Sequence, residues 1–335
     1  MIKKRTLHFF TILSPAFAFL ALLVAIRPSY IGSDYHAYKE LFYSFFENQS
    51  IRISEPLFIY LGSFIASISV DHRVFLFSIS IICFFSSAYC LLKLLDSSGA
   101  CKKSYRMALY VSIGVMLFSP FYFSSQTNVL RQGLSVPFLT MGFIFFSNKE
   151  YLKAGLSMAI SVGFHYPALL HIALLPLFFV SQRKILILTV ILSAAYLLGS
   201  SESVFRYLFS AIGLDLYFEK IASYGDYSDY KSGVRADFWL FSILFIATTF
   251  FLQKKLVISS FIPKLSMVAL IPFLLFGFMA YSDRLLFLLW SLIPVILALA
   301  SVLILQGFSD PGRRLIIYLL VISGAVWFSL RLVSI

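Results

Sequence analysis

The sequence predicts an all-α, polytopic integral membrane protein, and three observations carry that reading. Hydrophobic residues make up 60% of the chain and charged residues 13%, about half the roughly 25% charged share of a soluble domain. Mean hydropathy is +0.90. Apolar runs of membrane-spanning length recur from the first residues to the last. The runs are continuous and do not alternate, which excludes a β-barrel. They never give way to a soluble block, so 1–335 reads as a single transmembrane domain of about 9–11 transmembrane or re-entrant helices.

The first stretch has a basic start and an apolar run like a signal peptide. The run is too long, and no small-residue cleavage site precedes Arg27, so it reads as a retained first helix. Candidate spans are 7–26, 74–95, 107–123, 129–147, 185–200, 236–252, 265–281, 285–305 and 314–332. Two segments fit less well: 56–70 is short, and 154–180 is interrupted by FHYP.

Loop charge sets the orientation. Basic clusters stand at Lys3–Lys4–Arg5, Lys102–Lys103 with Arg106, Lys149 with Lys153, Arg183–Lys184, Lys254–Lys255 and Arg313–Arg314. All should be cytoplasmic. Simple alternation leaves two of them outside. Reading 56–70 as short or re-entrant, and 154–180 as a broken hairpin, puts every cluster inside. That choice gathers the amphipathic segment 27–55, the Arg131 turn, the FHYP break, loop 201–235 and Ser282–Asp283–Arg284 on the outer face. Irregular backbone at membrane depth needs protein or a water-filled cavity beside it, so an outward-facing cavity is expected there.

A net charge of +12 comes from Lys and Arg scattered through short loops. It fits contact with anionic lipid, not nucleic acid. Three cysteines make no disulfide framework.

Candidate site residues follow in chain order. Asp34 follows a Gly-Ser turn and is placed to cap a helix starting at Tyr35. Tyr35, Tyr38, Phe42, Phe45 and Phe46 recur at helical spacing, as in an interfacial amphipathic helix. Glu55 precedes Pro56 at the mouth of an apolar segment. Arg131 lies against apolar runs with no acid near it in sequence. A guanidinium in hydrocarbon is unfavourable by roughly 2.5–3.5 kcal/mol. It therefore needs water, carbonyls, a distant carboxylate or an anionic ligand. His165 sits in the FHYP break, either as a satisfied structural residue or as a hydrogen-bonding group for a sugar hydroxyl or phosphate. Loop 201–235 sets Tyr217, Tyr224, Tyr227 and Tyr230 among acids, which suits either a sugar surface or a membrane interface. Asp283–Arg284 is either a paired surface turn or, through Arg284, a second arm with Arg131 of a diphosphate clamp. No HExxH, Cys cluster, P-loop, GxGxxG or GxSxG is present, so neither a catalytic metal nor a cofactor is expected.

The stretches GSDYHAY (32–38), EPLF (55–58), NVLRQGLSVPF (128–138) and FHYPALL (164–170), with the Tyr-rich loop and Arg284 near a helix start, resemble the EpsG/Wzy-like bacterial polysaccharide polymerases. RQG with a downstream FH is the most specific part. The resemblance implies a metal-independent membrane glycosyltransferase at the outer face of the cytoplasmic (inner) membrane. Such an enzyme joins oligosaccharide repeat units carried on undecaprenyl diphosphate into O-antigen, capsule or exopolysaccharide. It also implies the bilayer, a flippase and a chain-length regulator as partners. Asp34, Tyr35, Tyr38, Glu55, Arg131, Gln132 and His165 match family-type positions, while Tyr166–Pro167 departs from the small or polar residues expected there. On this resemblance Arg131 and Arg284 bind the diphosphate. Glu55, or second Asp34, takes the proton of the attacking hydroxyl. His165 orients or shares that proton, and the tyrosines hold sugars. A polysaccharide-to-lipid ligase would use the same donor chemistry. A transporter would show repeats and midplane sites, and an acyltransferase would need an acid near its His; the sequence shows neither.

Overall fold

The computed structural model describes residues 2–47, 54–99, 105–211, 213, 219, 233–256, 258–305 and 310–333, and among them helices form and strands do not. Side-chain contacts fix the direction of each helix. Helix α1 (Ile2–Ile26) and α4 (His72–Ser98) run antiparallel, with Phe17 stacked on Phe84 at 5.3 Å and Phe10 near Tyr89 at 6.4 Å. Helix α7 (Leu130–Ser147) runs alongside α4, where the Cys83 thiol donates to Gly133 O at 3.3 Å. Helix α8 (Tyr151–Phe164) returns against α7, joined by a Ser135–Ser161 hydroxyl pair at 2.7 Å.

At His165–Pro167 the helix stops, because proline lacks an N–H and disfavours helix at the residue before it. Helix α9 (Ala168–Ile172) and a 3₁₀ turn (Leu175–Phe179) then run back. Phe178 and Phe179 end on Phe146 at 6.3 and 5.6 Å, and Phe146 also meets Tyr151 at 5.7 Å. Segment 151–179 is therefore a hairpin, out and back.

Helix α2 (Tyr35–Phe46) and α3 (Pro56–Ile68) stay at one end. The 13 residues of α3 span about 20 Å, against roughly 30 Å of hydrocarbon. Its start touches the head of α7 through Glu55–Arg131, and its end leads to His72, which bonds Tyr35 at the head of α2. Both ends of α3 lie at the same end of the bundle, so it does not cross.

The remaining helices are α10 (Gln182–Leu197), α11 (Ser200–Ala211), α12 (Ala236–Leu256), α13 (Phe261–Phe276), α14 (Phe287–Trp290), α15 (Ile293–Leu305) and α16 (Asp310–Val333). Antiparallel α10 and α12 are tied at one end by Arg235 N donating to the Tyr196 hydroxyl at 2.7 Å, and at the other by the Gln182–Gln253 amide pair at 3.0 Å. Helix α11 turns 91° from α10, so part of the expected loop 201–235 is helical. The expected span 107–123 is two helices, α5 (Tyr105–Phe118) and α6 (Pro120–Thr127), bent by 62°. Pro120 takes the first position of α6, and the Ser119 hydroxyl accepts from Tyr122 N at 3.3 Å. The expected span 285–305 is likewise divided, by 42°, just before Pro294. Helix α16 packs closely on α5, since a Cβ on Gly324 would stand 2.8 Å from Gly114 O.

The bundle thus has two unlike ends. One carries Lys149 and Lys153, Arg183 and Lys184, and Lys254 and Lys255; helix direction puts Lys3–Lys4–Arg5 and Arg314 there too. Lys102 and Lys103 lie outside the described residues. The other carries Arg27, Glu55, Arg131, His165 and Arg284. If the basic end is cytoplasmic, cysteines placed at the exposed positions Ser33 and Ser54 should react with an impermeant thiol reagent from outside. Cysteines at Asn148 and Ser181 should be protected, in a background with Cys83, Cys90 and Cys101 replaced by alanine. Labelling of 148 and 181 with protection of 33 and 54 would reverse the orientation.

Candidate functional site

At the end away from the basic loops, the motif stretches converge. The 27–38 turn is pressed onto the α6–α7 break. Arg27 is only 3% exposed. Its guanidinium donates to Val24 O at 2.8 Å, Ile31 O at 3.0 Å and Thr127 O at 3.1 Å, and it lies 5.2 Å from the Tyr35 ring centroid. Three carbonyls and a ring face replace the acid this buried cation lacks in sequence. Gly32 has φ +94°, and a Cβ there would stand 2.8 Å from Thr127 O. Glycine is needed both for the angle and for the close approach. The sequence reading passed over Arg27; its signal was a charge at the end of an apolar run, just before Pro28.

Helix α2 turns Tyr35, Tyr38, Phe42 and Phe45 inward and leaves Phe46 exposed. The aromatic face is thus four residues, not the five expected. The Tyr35 hydroxyl is engaged with His72 Nε2 at 2.8 Å. Tyr38 Oη accepts Leu130 N, the head of α7, at 3.1 Å and lies beside Arg131. Tyr38 is thus a buried support of the α7 head, and Tyr35 of the α4 head. Asp34 does not cap α2 with its side chain: its φ −97°, ψ 9° is not the extended conformation a cap needs, and its carboxylate accepts from the Ser33 hydroxyl at 2.9 Å.

Glu55 is 5% exposed and is the centre of the cluster. Arg131 Nη1 donates to both its oxygens, at 2.8 and 2.9 Å. His165 Nδ1 lies 3.6 Å from Oε1. Tyr166, the residue that departs from the family pattern, donates its hydroxyl to Ser54 O at 2.7 Å and so holds the chain beside Glu55. Burial works to raise the Glu55 carboxyl, but the His165 ring 3.6 Å away and the Arg131 charge outweigh it and hold it at about 2. Glu55 is therefore an anion at neutral pH, and in this arrangement a weak base.

The RQG triplet is legible residue by residue. Arg131 gives Glu55 a single nitrogen and keeps further donors, and its side chain is 31% exposed. Gln132 donates through Nε2 to Arg284 O, tying α7 to the 282–286 turn. Gly133 admits α6: a Cβ there would stand 2.5 Å from Ser125 O. Because that neighbour is backbone, Gly133→Ala should shift the α7 head and lower stability by about 1–3 kcal/mol. Thermal unfolding in detergent measures this, and an unchanged midpoint would contradict the packing. Arg284 stacks 4.5 Å from the Tyr281 ring centroid, and Tyr281 itself has φ +58°. Left-handed backbone at a non-glycine residue is unfavourable by about 1–3 kcal/mol and concentrates at working sites. His165 lies within electrostatic reach of Arg131, Glu55 and Arg284 together. Tyr217, Tyr224, Tyr227 and Tyr230 lie outside the described residues.

The sequence matches the EpsG family over residues 10–335. No curated protein and no solved structure matches the chain.

Proposed function

The chain belongs to the EpsG family, and on that footing we propose that it is a membrane polysaccharide polymerase. It joins oligosaccharide units carried on undecaprenyl diphosphate, at the outer face of the bacterial cytoplasmic membrane. The observation that supports this best is the Glu55–Arg131–His165 cluster, with Arg284 nearby, at the end opposite the basic loops. Positive-inside orientation turns that end outward. The 14 residues of α8 rise about 21 Å from the basic end, which puts His165 in the outer half of a roughly 30 Å hydrocarbon layer.

The reaction follows from these groups. Arg131 and Arg284 take the donor's diphosphate oxygens, and Arg131 moves off Glu55 to do so. Glu55, relieved of its ion pair, accepts the proton of the attacking sugar hydroxyl. The new glycosidic C–O bond forms as the anomeric bond to the diphosphate breaks, with inversion, and the electron pair leaves on the diphosphate. The two guanidiniums stabilise that charge. His165 Nδ1, buried and without a hydrogen bond in this structure, is placed to orient or share the proton. Asp34 is the second choice of base. Lipid-linked glycan extracted from a deletion strain tests the reading. Accumulated single repeat units support a polymerase; accumulated long lipid-linked chains indicate a ligase.

A further inference from the structure

Beside the candidate site, a cavity of about 60 Å³ lies between α4, α5, α6, α7 and the 287–294 segment. That is several times the roughly 10–15 Å³ one water needs. Its walls include Phe121, Val136, Pro137, Phe287 and Trp290. Three serines on its lining use their hydroxyls locally: Ser125 donates to Tyr122 O at 2.6 Å, Ser291 donates to Leu288 O at 2.7 Å, and Ser119 accepts from Tyr122 N at 3.3 Å. A small, mostly apolar cavity of this kind favours an apolar occupant over water.

Its position identifies the occupant. Val136 is one helical turn below Gln132 on α7, and Phe287 is one turn below Arg284. Gln132 and Arg284 are themselves joined by a hydrogen bond. Val129, Val136, Phe287 and Phe121 form a separate apolar cluster, which runs from the head of α7 down to the cavity. One cation, Arg284, therefore stands above an apolar track. An amphiphile with an anionic head and a tail beginning directly below it is complementary to both.

We propose that this cavity seats the first isoprene unit of a polyprenyl diphosphate whose diphosphate lies at Arg284. The head position rests on the polymerase reading; the tail position rests on the cavity and on its place beneath Arg284. A buried branched tail gives affinity through apolar contact, while Arg284 gives orientation.

Trp290 in the wall serves as the reporter. The purified full-length protein is titrated with a short polyprenyl diphosphate brominated in its first isoprene, and tryptophan fluorescence is followed. Saturable quenching is expected, largely lost in Trp290→Phe, and reversed by unlabelled polyprenyl diphosphate but not by phosphatidylglycerol. Ser291→Leu, which fills the cavity from its edge, should weaken tail binding about tenfold and leave competition by inorganic diphosphate unchanged. Quenching that persists in Trp290→Phe, reversal by phosphatidylglycerol, or equal weakening of tail and inorganic diphosphate in Ser291→Leu would each overturn the proposal. Quenching at Trp290 in a protein that makes no polymer would leave the tail site standing and remove the polymerase reading. Polymer formation without quenching at Trp290 would do the reverse.

Discussion

Arg131→Lys is expected to cut polymer formation by at least roughly 100-fold while the protein still inserts and folds. The geometry separates these two effects. A single nitrogen, Nη1, meets both oxygens of Glu55. A lysine ammonium can take that place, so the buried carboxylate keeps a cation and the fold keeps its ion pair. What lysine lacks is the rest of the planar fork, whose further donors the proposed diphosphate role requires. The measurement is polymer length and yield from purified lipid-linked repeat units, beside thermal unfolding of the same preparation. A wild-type ladder from a normally folded Lys variant would remove the diphosphate role from Arg131. Loss of both fold and activity would mean that the ion pair depends on guanidinium geometry. In that case, binding of unlabelled polyprenyl diphosphate to any folded fraction of the variant decides between the two roles.

Much of the fold could be read from the chain because the bilayer imposes simple rules. Length, continuous hydropathy and loop charge located most helices to within a few residues. The same rules marked 56–70 as short or re-entrant and 154–180 as a broken hairpin, and contacts at Tyr35–His72 and Phe146–Phe179 show where the ends of each meet the bundle. The breaks at Pro120 and Pro294 escaped that reading, because proline is tolerated inside membrane helices when neighbours satisfy the freed groups. Within the site, Glu55, Arg131 and His165 stood out as polar residues in apolar settings. Their mutual contact did not, since it joins residues 76 positions apart. Of the partners open to Arg131 (water, carbonyls, a distant carboxylate or an anionic ligand), this structure supplies the distant carboxylate, Glu55. Arg27, and the packing roles of Gly133 and Tyr166, were missed for one reason: they act by holding backbone, and backbone contacts leave little trace in residue type.

Glu55→Gln is expected to lower polymerisation by about 10²–10⁴-fold, whereas Glu47→Gln, on an exposed residue at the end of α2, leaves it near wild type. The comparison alone does not isolate a base, because Gln at 55 leaves the Arg131 guanidinium without its anion. Breaking a buried pair from one side destabilises by about 3–5 kcal/mol. Glu55→Gln combined with Arg131→Gln removes the unpaired charge and is expected to recover much of that stability, so any fold defect that remains is not electrostatic. The acid limb of the wild-type rate then separates base from brace. In the free protein the carboxyl is held at about 2, below its unfolded value. The pair therefore stabilises the fold fully above the ordinary glutamate range, and this stability is lost as pH falls through about 2. If donor binding draws Arg131 away, the carboxyl returns toward its ordinary value of about 4.3. Turnover at saturating donor should then fall as pH drops through that value, while the folded fraction is still intact. An acid limb that follows unfolding, or equal activity of the Glu55→Gln and Glu47→Gln proteins, would take the base assignment from Glu55 and move it to Asp34.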